Sequence, residues 1–414
     1  MKFLNTNPKR QFREYKNFWA YGYSNYTDLE VIGFIENGIN FIPKGQFAYV
    51  YIKDKKYFFM CDHLCTTNLY YNQDSVTSSF DQIRKVRENN TLDTVWHSQI
   101  ELLKTHTVGP FTPYESIKRV EPDHYVTEVG SYMYHDSMNT PTVEPDYQLL
   151  KTYVSNFANR ITESDPVVAF SGGKDSYLVA EVLRKYNKNP RLVKVHSENV
   201  RNMVDIKACE EFTKHGWNIE KYEIEGRKKY ITNQFNHDFW RDGTFNVKQE
   251  AVRGKGTRAY SGELSAHTPK DQLLFSYITN IHKPKVEDIV KFWVSVNSSF
   301  LKERMMRGFD KEYSGEGYDY LLEYWTKKWN RLEGEDKIYR LFLQEHGSYR
   351  LWCESQDNKN TWFNMYADSD IFHQWLSYHQ KYKIKKEHLK ELALQIGGTD
   401  ISWKYKSIGM SINK

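Results

Sequence analysis

The sequence predicts an α/β chain: a doubly wound parallel sheet with a helical carboxyl-terminal part, preceded by a smaller β-rich domain. Three observations predict it. Residues 45–71 run as short aromatic and β-branched stretches separated by turn residues. After a polar, proline-containing stretch, short apolar runs alternate with amphipathic helical patterns. A glycine-rich turn joins the first of those apolar runs to the first helix.

The β-rich part reads as a meander. Gly45 opens Gln46-Phe47-Ala48-Tyr49-Val50-Tyr51-Ile52, Asp54-Lys55-Lys56 turns the chain, and Tyr57-Phe58-Phe59-Met60-Cys61 returns. Leu69-Tyr70-Tyr71 is expected as a third strand and His124-Tyr125-Val126 as a further one, with loop and helix between 72 and 110. Asp136 to Asp146 contains Asn139, Pro141 and Pro145 and little apolar content, which marks it as a linker. Domains of 1–140 and 141–414 follow.

Beyond the linker, Val167-Val168-Ala169-Phe170 is a short continuous apolar run, as expected of a parallel strand buried on both faces. Asp175 to Tyr186 places Leu178, Val179, Val182, Leu183 and Tyr186 on one helical face. Leu192-Val193-Lys194-Val195 is the next strand, Met203 to Phe212 a helix and Ile219 to Ile224 a third strand. Such a βαβαβ series puts a ligand at the carboxyl ends of the strands. After about residue 283 the pattern is mainly helical, with Trp293, Trp325, Trp329 and Trp352 as core candidates.

Composition narrows the classes. Charged residues at 27% and hydrophobic residues at 39% describe a globular chain rather than a disordered one. The net charge of +5 is spread along the chain, so no concentrated basic stripe marks a nucleic-acid partner. No run approaches the length of a membrane span, and Met1-Lys2-Phe3-Leu4-Asn5 leads into charge rather than an apolar core, so a cytoplasmic protein is expected. Four cysteines are too few for a disulfide framework. Cys61, His63 and Cys65 lie close together, but no second ligand cluster follows them, and zinc is not expected.

Ser171-Gly172-Gly173-Lys174-Asp175-Ser176 fills the strand-to-helix turn with what a pyrophosphate needs. Two glycines let the backbone approach an anion and adopt positive φ. Free N–H groups and the helix dipole face the phosphates. Ser171 and Ser176 add hydroxyl donors, and Asp175 can hold a magnesium ion against phosphate oxygens. Neither a GxxxxGK[ST] loop nor a GxGxxG turn is present, which removes the two commoner nucleotide motifs.

The loop resembles the signature of the N-type ATP pyrophosphatases, among them asparagine synthetase, β-lactam synthetase and the GMP and NAD synthetases. Segments around it narrow the resemblance to the asparagine-synthetase type. Gly45 to Val50, Cys61-Asp62 and Asn68-Leu69-Tyr70-Tyr71 look like late strands of that family's amidotransferase domain. Thr112 to Val120 with Pro122, His124 and Tyr125 is similar to the segment closing that domain. Tyr366-Ala367-Asp368-Ser369-Asp370-Ile371, then Ile384-Lys385-Lys386 with Leu389, resemble its carboxyl-terminal stretches. Trp403 to Met410 looks like its last catalytic element and places Lys406 where the family keeps a lysine.

The resemblance implies a fold of the adenine nucleotide alpha hydrolase-like type. It also implies ATP and Mg2+ as cofactors, with cleavage between the α and β phosphates and adenylylation of a carboxylate. Nitrogen would come from ammonia or an amine. Ser171, Gly172, Gly173, Lys174, Asp175, Ser176 and Val195 would meet the nucleotide, and Lys406 would stabilise developing charge. The family's Ser-Gly-Glu-Gly-x-Asp element supplies a base and a metal ligand, and two places compete for it. Ser314-Gly315-Glu316-Gly317-Tyr318-Asp319 matches by residue type, with Glu316 as base and Asp319 as metal ligand, but follows a poor strand. Ser261-Gly262-Glu263 follows the better strand Thr257-Arg258-Ala259-Tyr260, yet lacks the aspartate.

The first domain departs from the family. Lys2 follows Met1 where the glutaminase has its nucleophilic cysteine, the segments ahead of Gly45 are short, and Cys65 replaces a glycine. A shortened, glutaminase-inactive domain is expected, so purified chain should release no glutamate from glutamine; steady release would contradict this. Two rival readings remain: a nucleic-acid base modifier of the same superfamily, and a scaffold that kept the fold without the chemistry.

Overall fold

The computed structural model describes residues 1–5, 11–87, 89, 91–103, 107–186, 188–196, 200–223, 235–236, 239–240, 258–261, 284–298, 311–333, 337, 340–341, 361–379, 381–382 and 386–403. The chain is mixed α/β and divides into two compact units. One gathers Met1–Pro141, Phe235–Trp240 and His267–Trp352; the other gathers Thr142–Gln234, Arg241–Ala266 and Cys353–Lys414. The division at Pro141 falls inside the 136–146 linker. Residues 267–352, expected within a 141–414 domain, instead cluster with the amino-terminal unit. Among the described residues, no helix is long and apolar enough to cross a membrane.

The first unit contains a six-stranded antiparallel sheet. Its order is Ser131–Met133, His124–Thr127, Lys56–Cys61, Gly45–Lys53, Phe18–Ser24 and Arg13–Tyr15. Gly45–Lys53 is buried on both faces, and its period of two sorts the side chains. Phe47, Tyr49 and Tyr51 pack with Phe18, Ala20 and Val31, the last from the Asp28–Asn37 helix. Ala48 and Val50 pack with Phe59, Leu69 and Val76.

Tyr70–Tyr71 does not extend this meander as expected. It joins a second, four-stranded sheet with Lys2–Phe3, Ser75–Thr77 and Lys118–Arg119. The cause is the turn at Asp62. Its carboxylate accepts from the backbone N–H of Phe47, Leu64 and Thr66 at 3.1, 3.0 and 3.1 Å, and from the Thr66 hydroxyl. Cys65 then takes φ 49°, a left-handed conformation that favours glycine, and redirects the chain.

Two buried carboxyl groups of this unit set a pH dependence. Burial raises Asp62 to about 6 and Asp123 to about 7, against hydrogen bonds that favour ionisation. Between the ordinary value of 3.8 and about 7, the folded chain therefore binds more protons than the unfolded one. Stability from these groups is greatest at low pH and falls as pH rises through that window. Asp123 has φ 62°, which asparagine tolerates, and its Oδ2 accepts from the Ser137 N–H and hydroxyl at 3.3 and 2.5 Å. Asp123→Asn is expected to raise the melting temperature at about pH 8 and to change it little at about pH 5. Destabilisation of equal size at both pH values would contradict this.

Helix Glu316–Arg331 packs on helix Thr94–Leu103. The closest approach is at Gly317, whose N–H donates to the Ser98 hydroxyl at 3.0 Å. A Cβ there would come within 2.6 Å of Ser98 and the Gln99 nitrogen, so only glycine allows the crossing. Trp325 and Trp293 of helix Val286–Ser298 meet in the core, with ring centroids 5.3 Å apart. Trp329 is half-buried, and Trp352 lies outside the described residues.

The second unit is built on a five-stranded parallel sheet. Its order is Ile219–Glu223, Arg191–His196, Val167–Ala169, Arg258–Ser261 and Thr361–Asn364. Val167–Ala169 is central. Two strands that follow it directly lie on one side, and the two later ones lie on the other. Helix Lys174–Lys185 leaves its carboxyl end and is buried along most of its length beneath helices Tyr147–Asn159 and Glu387–Gln395.

Candidate phosphate-binding site

The turn between the central strand and the buried helix closes on its own serines. The Ser171 N–H donates to the Ser176 hydroxyl oxygen at 3.1 Å, and the Gly173 N–H donates to the Ser171 hydroxyl oxygen at 3.2 Å. Ser176 in turn donates to the Gly173 carbonyl at 3.2 Å. Ser176, expected as a hydroxyl donor to the ligand, thus also helps to shape the loop. The Ser171 and Ser176 hydroxyls lie 3.2 Å apart, and either can donate across that contact.

The two glycines play different parts. Gly172 takes φ 70°, and a Cβ on it would stand 2.9 Å from the Ala208 methyl. Its carbonyl is held by the Ser402 hydroxyl at 3.0 Å. Gly173 is the N-cap of helix Lys174–Lys185 and supplies no side chain to cap it. Among the described residues no side chain caps the first turn, which is the physical requirement for an anion site at a helix N-terminus.

Side chains from far along the chain gather on this turn. Both carboxylate oxygens of Asp175 accept from the Lys386 ammonium at 2.6 Å. The Tyr366 hydroxyl donates to the Asp175 carbonyl at 3.2 Å. Lys174 lies over the Trp403 ring at 5.7 Å, and the Trp403 indole N–H donates to the Lys386 carbonyl at 3.3 Å. Burial lowers the Lys174 ammonium from its ordinary pKa, and the nearby Lys386 charge adds to the effect. Lys386 adopts φ 57° at the N-cap of helix Glu387–Gln395 and makes no side-chain cap there. Its ammonium is committed to Asp175 instead.

Two ammonium groups against one carboxylate leave a positive surplus beside an uncapped helix end, which fits a polyphosphate. Among the described residues, no cluster of three or more His, Cys, Asp and Glu side chains is arranged to hold a metal ion. Magnesium commonly takes one or two carboxylates and completes its shell with substrate phosphates and water. Asp175 fits that role if Lys386 releases it.

The remaining predicted residues divide sharply. Val195 lies on the Arg191–His196 strand, paired with Tyr222 of the next strand near the same sheet edge. Arg258–Ser261 pairs directly with the loop strand, Ala259 opposite Val167 and Tyr260 opposite Val168. Gly262 and Glu263 follow Ser261 and lie outside the described residues, as does Lys406, which follows Trp403 closely. Glu316 and Asp319 are exposed on the first turn of the Glu316–Arg331 helix and belong to the first unit, whereas Asp175 belongs to the second. Asp368 is buried; it caps helix Ser369–Ser377 and pairs with Arg160 at 2.6 Å, a structural role.

Sequence reasoning missed Lys386. The signal was its place in the Ile384-Lys385-Lys386 run, but nothing local indicates a carboxylate partner so distant in sequence. No protein-family model matches this chain, and no curated protein matches it.

Proposed function

We propose that the chain is an ATP pyrophosphatase of the asparagine-synthetase type, which adenylylates a carboxylate and then forms an amide or related C–N bond. The observation that carries this reading is the Ser171–Ser176 turn. It joins an uncapped helix N-terminus to a left-handed Gly172 at the carboxyl end of a central parallel strand. The sheet order reverses at that strand, as in a doubly wound fold, whose ligands sit in the crevice at the switch point.

In the first step a carboxylate oxygen of the substrate attacks the α-phosphorus of ATP, and the bond to the bridging oxygen breaks. Loop N–H groups, Ser171, Lys174 and Lys386 hold the departing pyrophosphate. Asp175 would hold magnesium, which neutralises phosphate charge when bound. In the second step an amine attacks the acyl carbon, AMP leaves, and a carboxylate takes the proton. Glu263 is the better base, because the Arg258–Ser261 strand that precedes it in sequence borders the loop strand, while Glu316 opens a helix whose glycine serves packing. Lys406 would stabilise charge on the adenylate.

ATP–pyrophosphate exchange, run with pooled carboxylates and separately with nucleic acids, tests the reading. Exchange that requires a carboxylate is expected. Exchange supported only by nucleic acid would move the assignment to base modification.

A further inference from the structure

The first unit contains a cavity of about 480 Å³, within the range of small-molecule sites. One wall is a single stripe of the Glu316–Arg331 helix: Tyr320, Tyr324, Lys327, Lys328 and Arg331, at helical spacing. The adjoining stripe of the same helix, with Tyr318, Leu321 and Trp325, is buried in the core, which anchors the helix that carries the cationic stripe. Lys328 lies over the Tyr324 ring at 4.6 Å. Arg331 donates to the Met133 sulfur at 3.3 Å and approaches Asp136 at 4.0 Å.

The lining also includes Glu121, Asp123 and Asp136, and Met133, Met138, Leu332 and Leu341 supply apolar surface. Three cationic side chains and three acidic ones thus line one cavity together with apolar surface. A nucleotide entering here would meet three carboxyl groups, and a polycation would meet three like charges. A ligand with one charge of each sign and an apolar body finds partners for all three parts.

We infer that this cavity binds a zwitterion of the amino-acid or short-peptide class, its carboxylate on Lys328 and Arg331 and its ammonium toward Glu121 and Asp136. The side chain lies against Tyr320, Tyr324 and the methionines. No serine, threonine or cysteine is among the described lining residues, so the site recognises its ligand without a nucleophile of that kind. The inference does not depend on the ATP reading, because the cavity belongs wholly to the first unit and the loop to the second.

Calorimetric titration of the full chain with unblocked dipeptides ending in phenylalanine or leucine tests it. Saturable binding is expected, and N-acetylation or C-amidation should each weaken it about tenfold or more, as for loss of a charge-assisted contact. Lys328→Gln and Arg331→Gln should weaken binding of the free acid but not of the amide, and Lys328→Arg should keep it. Melting curves identify any variant that fails to fold, and the blocked-dipeptide comparison on the unmodified chain stands without variants. Absence of binding at about 10 mM would overturn the inference. So would affinity indifferent to both blocking groups, or AMP binding that Arg331→Gln abolishes.

Discussion

Asp175→Asn is expected to remove most of the magnesium-dependent gain in ATP affinity and to lower turnover with it. The carboxylate sits on the first turn of a helix whose N–H groups point at the proposed pyrophosphate, and both of its oxygens are held by Lys386 at 2.6 Å. Asparagine keeps the shape and loses the charge that a hard cation needs. Loss of an outer-shell partner alone costs a metal site about ten- to a hundredfold, so the loss here should reach at least about a hundredfold. The same change leaves Lys386 without its counter-charge, so ATP free of magnesium should bind no worse than to the wild type. Lys386→Ala should do the reverse, freeing Asp175 for the metal while removing an ammonium from the phosphates. Equilibrium binding of ATP with and without magnesium separates these cases. Equal weakening of both forms by Asp175→Asn would reassign Asp175 to the structure of the turn.

Lys406→Ala carries the second large effect. Trp403, three residues before it in sequence, is packed beside Lys174 and bonded to Lys386. An ammonium acting on charge that develops in the transition state lowers the rate constant and leaves substrate binding alone. A loss of about a hundred- to a thousandfold in turnover, with ATP affinity within about threefold of normal, is the expected result. A variant that keeps more than about a tenth of wild-type turnover would make Lys406 an ordinary solvated residue.

Much of the second unit was legible because its signals are local. Val167 to Phe170 reads as a buried strand, and the structure has one over Val167–Ala169; of the two glycines after it, Gly172 takes the left-handed conformation that favours glycine. The Lys386–Asp175 pair was illegible, since it joins residues 211 apart. Among the described residues the chain after 283 is mainly helical, as expected, apart from the Thr361–Asn364 strand; amphipathicity does not say which core receives a helix, and 267–352 joined the first unit. Ser314 to Asp319 shows that residues matching a motif can also have packing reasons. Gly317 is required by the Ser98 crossing, and Gly315 caps a helix at φ 101°. Near the amino terminus the Thr27 and Glu30 capping box and left-handed Gly38 marked a helix in plain sequence and went unread.

The bond at which ATP breaks tests the central claim most directly. With a competent carboxylate and magnesium present, phosphorus NMR of the reaction mixture should show AMP and pyrophosphate accumulating together. A turn that grips the β and γ phosphates as a leaving group predicts cleavage at the α–β bond. ADP and inorganic phosphate in their place would contradict the account, because the γ phosphate would then be the group transferred.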